Sequence, residues 1–574
     1  MMTNHEISRR FTQIGDILEI QGENPFKVRA YRRAAETIDD LVEPLADIEA
    51  RGALGDIPGF GEAIVAKTRD FLTTGTTALY EHIKNAVPPG VVALAGVPGV
   101  GPKTAKALFD ALGVASVDEM EAACRAGRVQ TVPGFGAAKE QKILEAVERG
   151  RRLSERAPLY VALPYAERIA RALRERPEVG RVEVAGSLRR GRDTVGDLDL
   201  VGTSSDPAAT MEAFSRLPQV THIIEVGPAK SAVLTDLGLR ADLRLGKESD
   251  FGALLHHFSS GREHNRKLRD MAEKRGLKIN EHGVYDAATG REVSGGAAEA
   301  EIYAALGLPF IPPELREDNG EIEAAERGEL PVLVTLADIK GQLHCHSTDS
   351  DGSATIREMA EAALARGYEY LALTDHSPYV GVANGLNRER LLKQMNEIAH
   401  LNDEFTPRGL TLLCGQEVDI LPDGALDQDD DVLARLDIVV ASVHRRNKET
   451  RDQMTARIVR AVQNPHVDIL GHPTGRLLGK REPYEVDIDA VVAAAKEAGT
   501  VLEINASPER MDLSDADARR AKAAGAFFTI NADAHSVNGL DLLPWGLRMA
   551  RRAGLEARDV LNTLPLSELR ARLK

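Results

Sequence analysis

The run from Gly186 to Val201, GSLRRGRDTVGDLDLV, constrains the chain most. It opens on a Gly-Ser turn behind the short apolar run 182–185 and closes on a second apolar run that carries Asp197 and Asp199. Alternate side chains of a strand share a face, so the two carboxylates point one way while Leu198 and Leu200 point into a core. Neighbouring carboxylates repel, and a cation between them resolves the conflict. Hard oxygen ligands in this arrangement suit Mg²⁺ or Mn²⁺ bridging to substrate phosphates. The Gly-Ser turn offers backbone N–H groups and a hydroxyl to a phosphate, and Arg189 and Arg190 add guanidinium donors. An exposed edge strand with solvated acids would explain Asp-x-Asp alone, but not the acids together with the turn. A third carboxylate is offered by residues 239–245, where Asp242 alternates with apolar residues and shares a face with Arg240 and Arg244.

This stretch resembles the signature of the nucleotidyltransferase superfamily, and within it the family X DNA polymerases, of which DNA polymerase beta is the best-known member. The resemblance implies that Asp197, Asp199 and Asp242 bind two Mg²⁺ or Mn²⁺ ions and are catalytic, with Asp242 nearest the primer 3′ hydroxyl. Ser187 and Arg190 would hold the incoming deoxynucleoside triphosphate. The implied chemistry is in-line attack of the 3′ hydroxyl on the α-phosphate, with pyrophosphate leaving.

A chain of 574 residues is too long for one core, so three or more domains are expected. The formal net charge of −16 is unusual for a DNA-holding chain, but a basic groove can coexist with acidic faces, and residues 149–192 are locally rich in arginine. Cys124, Cys345 and Cys414 are widely spaced, which fits a reducing compartment and excludes a thiolate metal site. The N-terminus is polar and no apolar run is long enough to span a bilayer, so a cytoplasmic protein without a membrane partner is expected.

Three short repeats share one pattern. Each places an apolar residue and Pro before Gly-x-Gly and a helical run: Gly59 and Gly61, Gly99 and Gly101, Gly134 and Gly136. A single copy is equally well an ordinary glycine turn between helices. Three copies indicate helix-hairpin-helix turns whose N–H groups face a DNA backbone without reading its sequence. Residues 1–88 resemble the small N-terminal domain of family X enzymes, and 89–155 a second helix-hairpin-helix domain. The resemblance places Lys27 at a 5′-phosphate and Lys67 at the Schiff-base lysine of a 5′-deoxyribose-phosphate lyase. Ala63 stands where a second lysine of that pocket falls, and an ordinary solvated lysine is the other reading of Lys67.

Residues 156–250 form the expected palm, which opens with an amphipathic helix over 164–176. Residues 251–315 form a thumb-like domain. There His257-Phe258-Ser259-Ser260-Gly261-Arg262-Glu263-His264-Asn265 resembles the family's nucleotide-binding turn. Phe258 would lie against the sugar and Asn265 would contact the base edge. The family usually has Tyr at His257 and Gly-Ser at Ser260-Gly261, which leaves sugar discrimination open. Residues 316–335 are acidic, lack a sustained apolar face, and read as a linker.

Residues 336–574 alternate apolar runs with amphipathic helices, and seven such units suggest a closed α/β barrel. The runs lie near 339–343, 370–374, 411–415, 438–442, 467–470, 500–504 and 526–530. Ligand-type residues arrive at the end of one run after another. They are His344, His346 and Asp351; His376; Glu417; His444; His472; Glu503; and Asp533 with His535. Barrels gather such residues at the C-terminal rim, so a multi-metal site is expected there, with Cys345 in the core and Glu503 behind the ligands. This half resembles the PHP (polymerase and histidinol phosphatase) domain, a trinuclear phosphoesterase fold. The matching ligands are His344, His346, Asp351, His376, Glu417, His444, His472, Asp533 and His535. Some PHP members carry histidine near Asp351. Mixed His and carboxylate ligands suit up to three Mn²⁺ or Zn²⁺ ions.

The fold class expected is therefore a multidomain α/β protein. It has helical hairpin domains, an α+β palm and thumb, and a seven-stranded (β/α) barrel. The whole order resembles bacterial family X polymerases with a C-terminal PHP domain. It implies a gap-filling repair polymerase on gapped or nicked duplex DNA, acting as a monomer. The barrel would act as a 3′–5′ exonuclease, abasic-site endonuclease or 3′-phosphatase. The rival readings are a phosphoesterase whose palm only binds DNA, a non-templated transferase acting on RNA, and a non-enzymatic scaffold.

Overall fold

The computed structural model describes the chain apart from residues 1, 3, 40–44, 58, 85, 96, 98, 99, 155, 380, 382 and 446–448. It divides into two compact units, Met1–Ser154 and Glu155–Lys574.

The first unit is helical. Its core joins Phe11, Ile14, Phe71, Leu108, Ile143 and Val147, with Phe11 meeting Phe71 edge-on at 5.4 Å. Helix Glu62–Thr74 buries Ile64, Thr68, Phe71 and Leu72. This is the i, i+4, i+7, i+8 spacing of one helical face. It stops at Gly75, whose φ of 76° suits a residue without a Cβ.

The second unit holds two sheets that matter for function. A five-stranded sheet runs in the order Val179–Val184, Asp197–Ser204, Arg240–Gly246, Lys230–Thr235, Val220–Val226. The pairing of Asp197–Ser204 with Arg240–Gly246 is parallel, and the others are antiparallel. Helix Leu159–Arg174 packs against this sheet through Leu159, Ala162, Ala166, Ile169 and Leu173. It starts earlier than the expected 164–176, because Leu159 and Ala162 extend its apolar stripe ahead of Pro164.

The barrel has seven parallel strands paired in chain order: Gly341–Gln342, Tyr370–Leu373, Thr411–Asp419, Ile438–Ser442, Ile469–Leu470, Val501–Asn505 and Phe528–Asn531. Every residue of these strands except Thr411 is buried, as expected for a parallel sheet covered by helices. The last strand returns to the first through a Cys345–Ala534 bridge. Two side chains help the closure: the Leu343 N–H donates to Asn531 Oδ1, and the Ala532 N–H donates to Gln342 Oε1. The covering helices open on Thr355, Asn387, Thr450, Asp487 and Ser514, each accepting a first-turn N–H. Such caps contribute about 1 kcal/mol each.

The segment read as a linker packs as part of the fold. Helix Glu321–Arg327 buries Ile322 and Ala325 against Leu268, Ile302 and Tyr303. Arg316 is fully buried, under the rings of Tyr303 and Phe310. Its Nη1 lies 2.6 Å from Glu299 Oε1, which also accepts from Arg189 at 2.8 Å. The acidic composition conceals this role, because Glu317 pairs with Arg190, Glu321 with His264 and Asp318 with Lys267, all distant in sequence.

Glu299→Ala leaves Arg316 buried without its carboxylate. The expected cost is about 3–5 kcal/mol, read as a lower urea midpoint for the unit 155–574.

Candidate active sites

The first candidate site lies on the five-stranded sheet. Parallel register sets Asp199 beside Asp242 and Asp197 beside Arg240. Asp197 is exposed, Asp199 half-buried and Asp242 buried. Arg240 holds Asp242 through two bonds, Nε to Oδ2 at 2.6 Å and Nη2 to Oδ1 at 2.7 Å. Burial, then the Asp197 and Asp242 charges, push the Asp199 carboxyl up to about 7. A divalent cation answers that excess of negative charge, so the donor set fits a metal.

The turn above the acids is short. Strand Val179–Val184 leads into the helical turn Gly186–Arg189, whose first residue has φ 58°. A Cβ on Gly186 would stand 2.1 Å from Asp199 Oδ2, so only glycine lets the turn lie over the carboxylate. Ser187 is half-buried in this turn. Arg190 donates from Nε to Glu317 at 2.9 Å and from Nη1 to the Ser259 carbonyl at 2.8 Å. Phe258 packs against Ala185 and Val201, with the Arg244 guanidinium 4.4 Å from its ring centre. Asn265 donates its side-chain amide to the His257 carbonyl at 2.9 Å. Beneath this turn, His264 bridges Glu321 at 2.5 Å and the Tyr303 hydroxyl at 3.0 Å.

The second site occupies the C-terminal rim of the barrel. Three groups of donors each converge within 4.8 Å: His346, Asp351, His376 and His535; His344, His346 and Asp533; and His376, Glu417 and His444. His346 and His376 each belong to two groups, so the three form one continuous cluster. Glu417 is central, 3.3 Å from His344, 3.0 Å from His376, 3.3 Å from His444 and 3.0 Å from His472. His472 and Asp533 follow their strands with φ of 26° and 52°, turning the chain over the rim. Left-handed backbone at non-glycine residues is costly and marks a functional constraint.

The chemistry of this donor set also fits metals. Nε2 of His344, Nδ1 of His346, Nδ1 of His376 and Nδ1 of His472 are buried and make no aligned hydrogen bond. Buried polar nitrogens of this kind need a partner. Burial and the neighbouring His535 and His376 lower His346 to about 3, which keeps it in the neutral, ligating form. Burial opposes charge on His376, but Asp351 and Glu417 raise it well above the usual range. Glu503 sits behind the ligands, bonded to His344 Nδ1 at 2.7 Å and to the His472 N–H at 2.8 Å. Sequence reasoning passed over Asp419, which lies 3.3 Å from His444 Nδ1, and Arg510, whose Nε is 3.7 Å from Asp533. Asp419 sits two residues beyond Glu417 on the same face of one strand, a spacing that could have flagged it.

The hairpin turns belong to the first unit. The Phe60 N–H donates to the Ile57 carbonyl, Val100 to Val97 and Phe135 to Val132, all at 2.9–3.0 Å. Gly59 and Gly134 have φ of 87° and 85°, which calls for glycine. A Cβ at Gly61, Gly101 or Gly136 would meet nothing within 4 Å. Gly61 and Gly101 start helices with no side-chain cap, leaving first-turn N–H groups open to a phosphate. Gly99 lies outside the described residues. Lys27 is exposed and 3.6 Å from Glu23. Lys67 Nζ donates to the Ala63 carbonyl at 3.1 Å and stands 5.8 Å from the Tyr31 ring centre.

A DNA polymerase/3′-5′ exonuclease PolX of Bacillus subtilis (strain 168) is 40% identical over 575 residues, covering 100% of both chains. The chain belongs to the PolX family. Within this PolX chain, residues 2–77 match a helix-hairpin-helix domain family and 91–149 a SAM-like helix-hairpin-helix tandem. Residues 254–317 match the DNA polymerase beta thumb and 342–507 the PHP domain. A probable phosphatase of Thermoanaerobacter sp. (strain X514) is 32% identical over 231 residues, 38% of this chain and 89% of its own length. Another from Caldanaerobacter subterraneus subsp. tengcongensis is 29% identical over 231 residues, again 38% of this chain and 85% of its own. Among the described residues no helix is long and apolar enough to cross a membrane.

Two outcomes follow for this chain. Metal-free, the raised Asp199 makes ionisation costly in the folded state, so stability falls as pH rises from about 4, the unfolded value, to about 7. Asp199→Asn removes that cost. Its melting temperature relative to wild type in EDTA should rise between pH 5 and pH 8 by roughly 1–3 °C. Gly61→Ala and Gly101→Ala should weaken binding to duplex DNA roughly 3- to 10-fold by holding phosphate off the open N–H groups. Their melting temperatures should stay at the wild-type value.

Proposed function

We propose that this PolX chain fills short gaps in DNA during repair and that its barrel trims or cleans the 3′ end the palm extends. The observation that carries this reading is the pairing of two candidate donor sets in one chain. Asp197, Asp199 and Asp242 are aligned under the Gly186 turn. The continuous histidine–carboxylate cluster lies on the barrel rim.

In the palm, Asp197, Asp199 and Asp242 would hold two Mg²⁺ or Mn²⁺ ions. These supply charge neutralisation for the attacking and leaving oxygens of an in-line displacement. Ser187 and the N–H groups of the Gly186 turn take the triphosphate of a deoxynucleotide, and Arg190 adds its guanidinium. Phe258 lies against the sugar, and Asn265 turns from the His257 carbonyl toward the base edge. The glycine turns of the first unit grip the backbone of gapped or nicked duplex.

In the barrel, His344, His346, Asp351, His376, Glu417, His444, His472, Asp533 and His535 would hold up to three Mn²⁺ or Zn²⁺ ions. Glu503 fixes the tautomer of His344 through its 2.7 Å bond. Arg510, beside Asp533, supplies a cation for the substrate phosphate. The chain would work as a monomer in the cytoplasm, where its unpaired cysteines stay reduced. Lys67 is the candidate for 5′-deoxyribose-phosphate removal, for which Tyr31 forms an apolar wall.

Asp197→Ala and His344→Ala separate the activities on a labelled gapped duplex with Mn²⁺. The first should lose extension on the order of 100-fold or more and keep 3′ shortening; the second should do the reverse. If either variant lost both activities, the two-site reading would be wrong. A probable phosphatase is similar to this chain over 38% of its length, so a 3′-phosphorylated primer belongs in the same assay.

A further inference from the structure

The nucleotide-binding turn of the palm is held from outside by the barrel. Arg552 ends helix Leu543–Arg552 of the barrel half and is 3% exposed. Its Nη1 donates to the carbonyl of Arg190 at 2.9 Å and lies 3.2 Å from Glu317 Oε1. Its Nη2 donates to Asp515 at 2.8 Å. Glu317 in turn accepts from Arg190 Nε at 2.9 Å and Arg192 Nη1 at 3.2 Å. One residue further along, a Cβ on Gly191 would lie 3.4 Å from the stem of Arg548, on the same barrel helix. Two residues beyond that, Asp193 accepts from Arg476 Nη1 at 2.9 Å. Arg476 belongs to the loop after His472, and also donates to the carbonyls of Arg510 and Met511.

Residues 190–193 are thus fixed at both ends and pressed in the middle by three arginines of the barrel half. Buried guanidinium–carbonyl and guanidinium–carboxylate bonds of this kind are directional and hold a loop in one geometry. Ser187 and Arg190 lie at the start of that loop and Asp197 at its end, so its geometry sets where the triphosphate sits relative to the acids. We propose that Arg552 and Arg476 of the metallo-barrel are positioning residues for polymerisation, shaping the palm's nucleotide turn independently of the barrel's own metal chemistry. The inference rests on the reading of Arg190 as a nucleotide contact.

The test compares extension and 3′ shortening in the full chain. Asp193→Ala removes a half-buried side chain, and Arg552→Met leaves both of its carboxylates a second arginine: Arg190 for Glu317, and Arg519 at 3.4 Å for Asp515. Both variants should raise KM for deoxynucleotides roughly 5- to 10-fold, with kcat within about twofold and 3′ shortening at the wild-type rate. Arg552→Lys, which can still donate to the Arg190 carbonyl, should recover part of the KM. An unchanged KM in both Asp193→Ala and Arg552→Met overturns the proposal. So does a parallel loss of both activities with a lower melting temperature, which would make the arginines structural cement alone. Arg190→Gln separates the two levels. If it leaves KM unchanged, the reading of Arg190 fails; if it raises KM while the barrel variants do not, only the positioning role fails.

Discussion

Parallel strand pairing is the constraint on which both sites depend. In the palm it sets Asp199 directly beside Asp242, with Asp197 one step along the same face. In the barrel seven parallel strands end at one rim, so ligands separated by up to 191 residues, from His344 to His535, meet there. Antiparallel pairing would send alternate strand ends to opposite sides and scatter both sets.

Bringing like charges together has a cost, and each site meets it differently. The palm keeps Asp197 exposed, clamps Asp242 with Arg240 and leaves Asp199 as the protonatable member. The barrel interleaves carboxylates with imidazoles, so Glu417 lies within 3.6 Å of five histidines while Glu503 supports His344 from behind. In both, a divalent cation is the partner that satisfies all members at once.

Within the compact unit from 155 to 574, arginines link the parts. Arg189 reaches from the palm to Glu299 of the thumb, which also holds buried Arg316. Arg551 lies 2.7 Å from Glu314, and Arg552 reaches Glu317. These links make the tail of the thumb a shared wall of palm and barrel. Both candidate sites are thereby carried on one compact unit.

The sequence by itself displayed the candidate donor residues and the repeated glycine turns, and it determined the number of barrel strands. Those features are local: strand alternation, a turn that demands positive φ, and apolar runs punctuated by histidine or carboxylate. The helix-hairpin-helix, thumb and PHP regions were equally legible, because each carries its own short signature. Tertiary structure alone decided the rest. The segment 316–335 reads as an acidic tether, yet Arg316 and Glu321 are buried and Glu317 half-buried, all three pairing with partners distant in the chain. Arg190 reads as a free phosphate donor, yet it is braced by Glu317 and the Ser259 carbonyl. The bonds of Arg476 and Arg552 to residues 190–193 are invisible in one dimension for the same reason: a charge becomes a brace only when folding places its counterpart within about 3 Å.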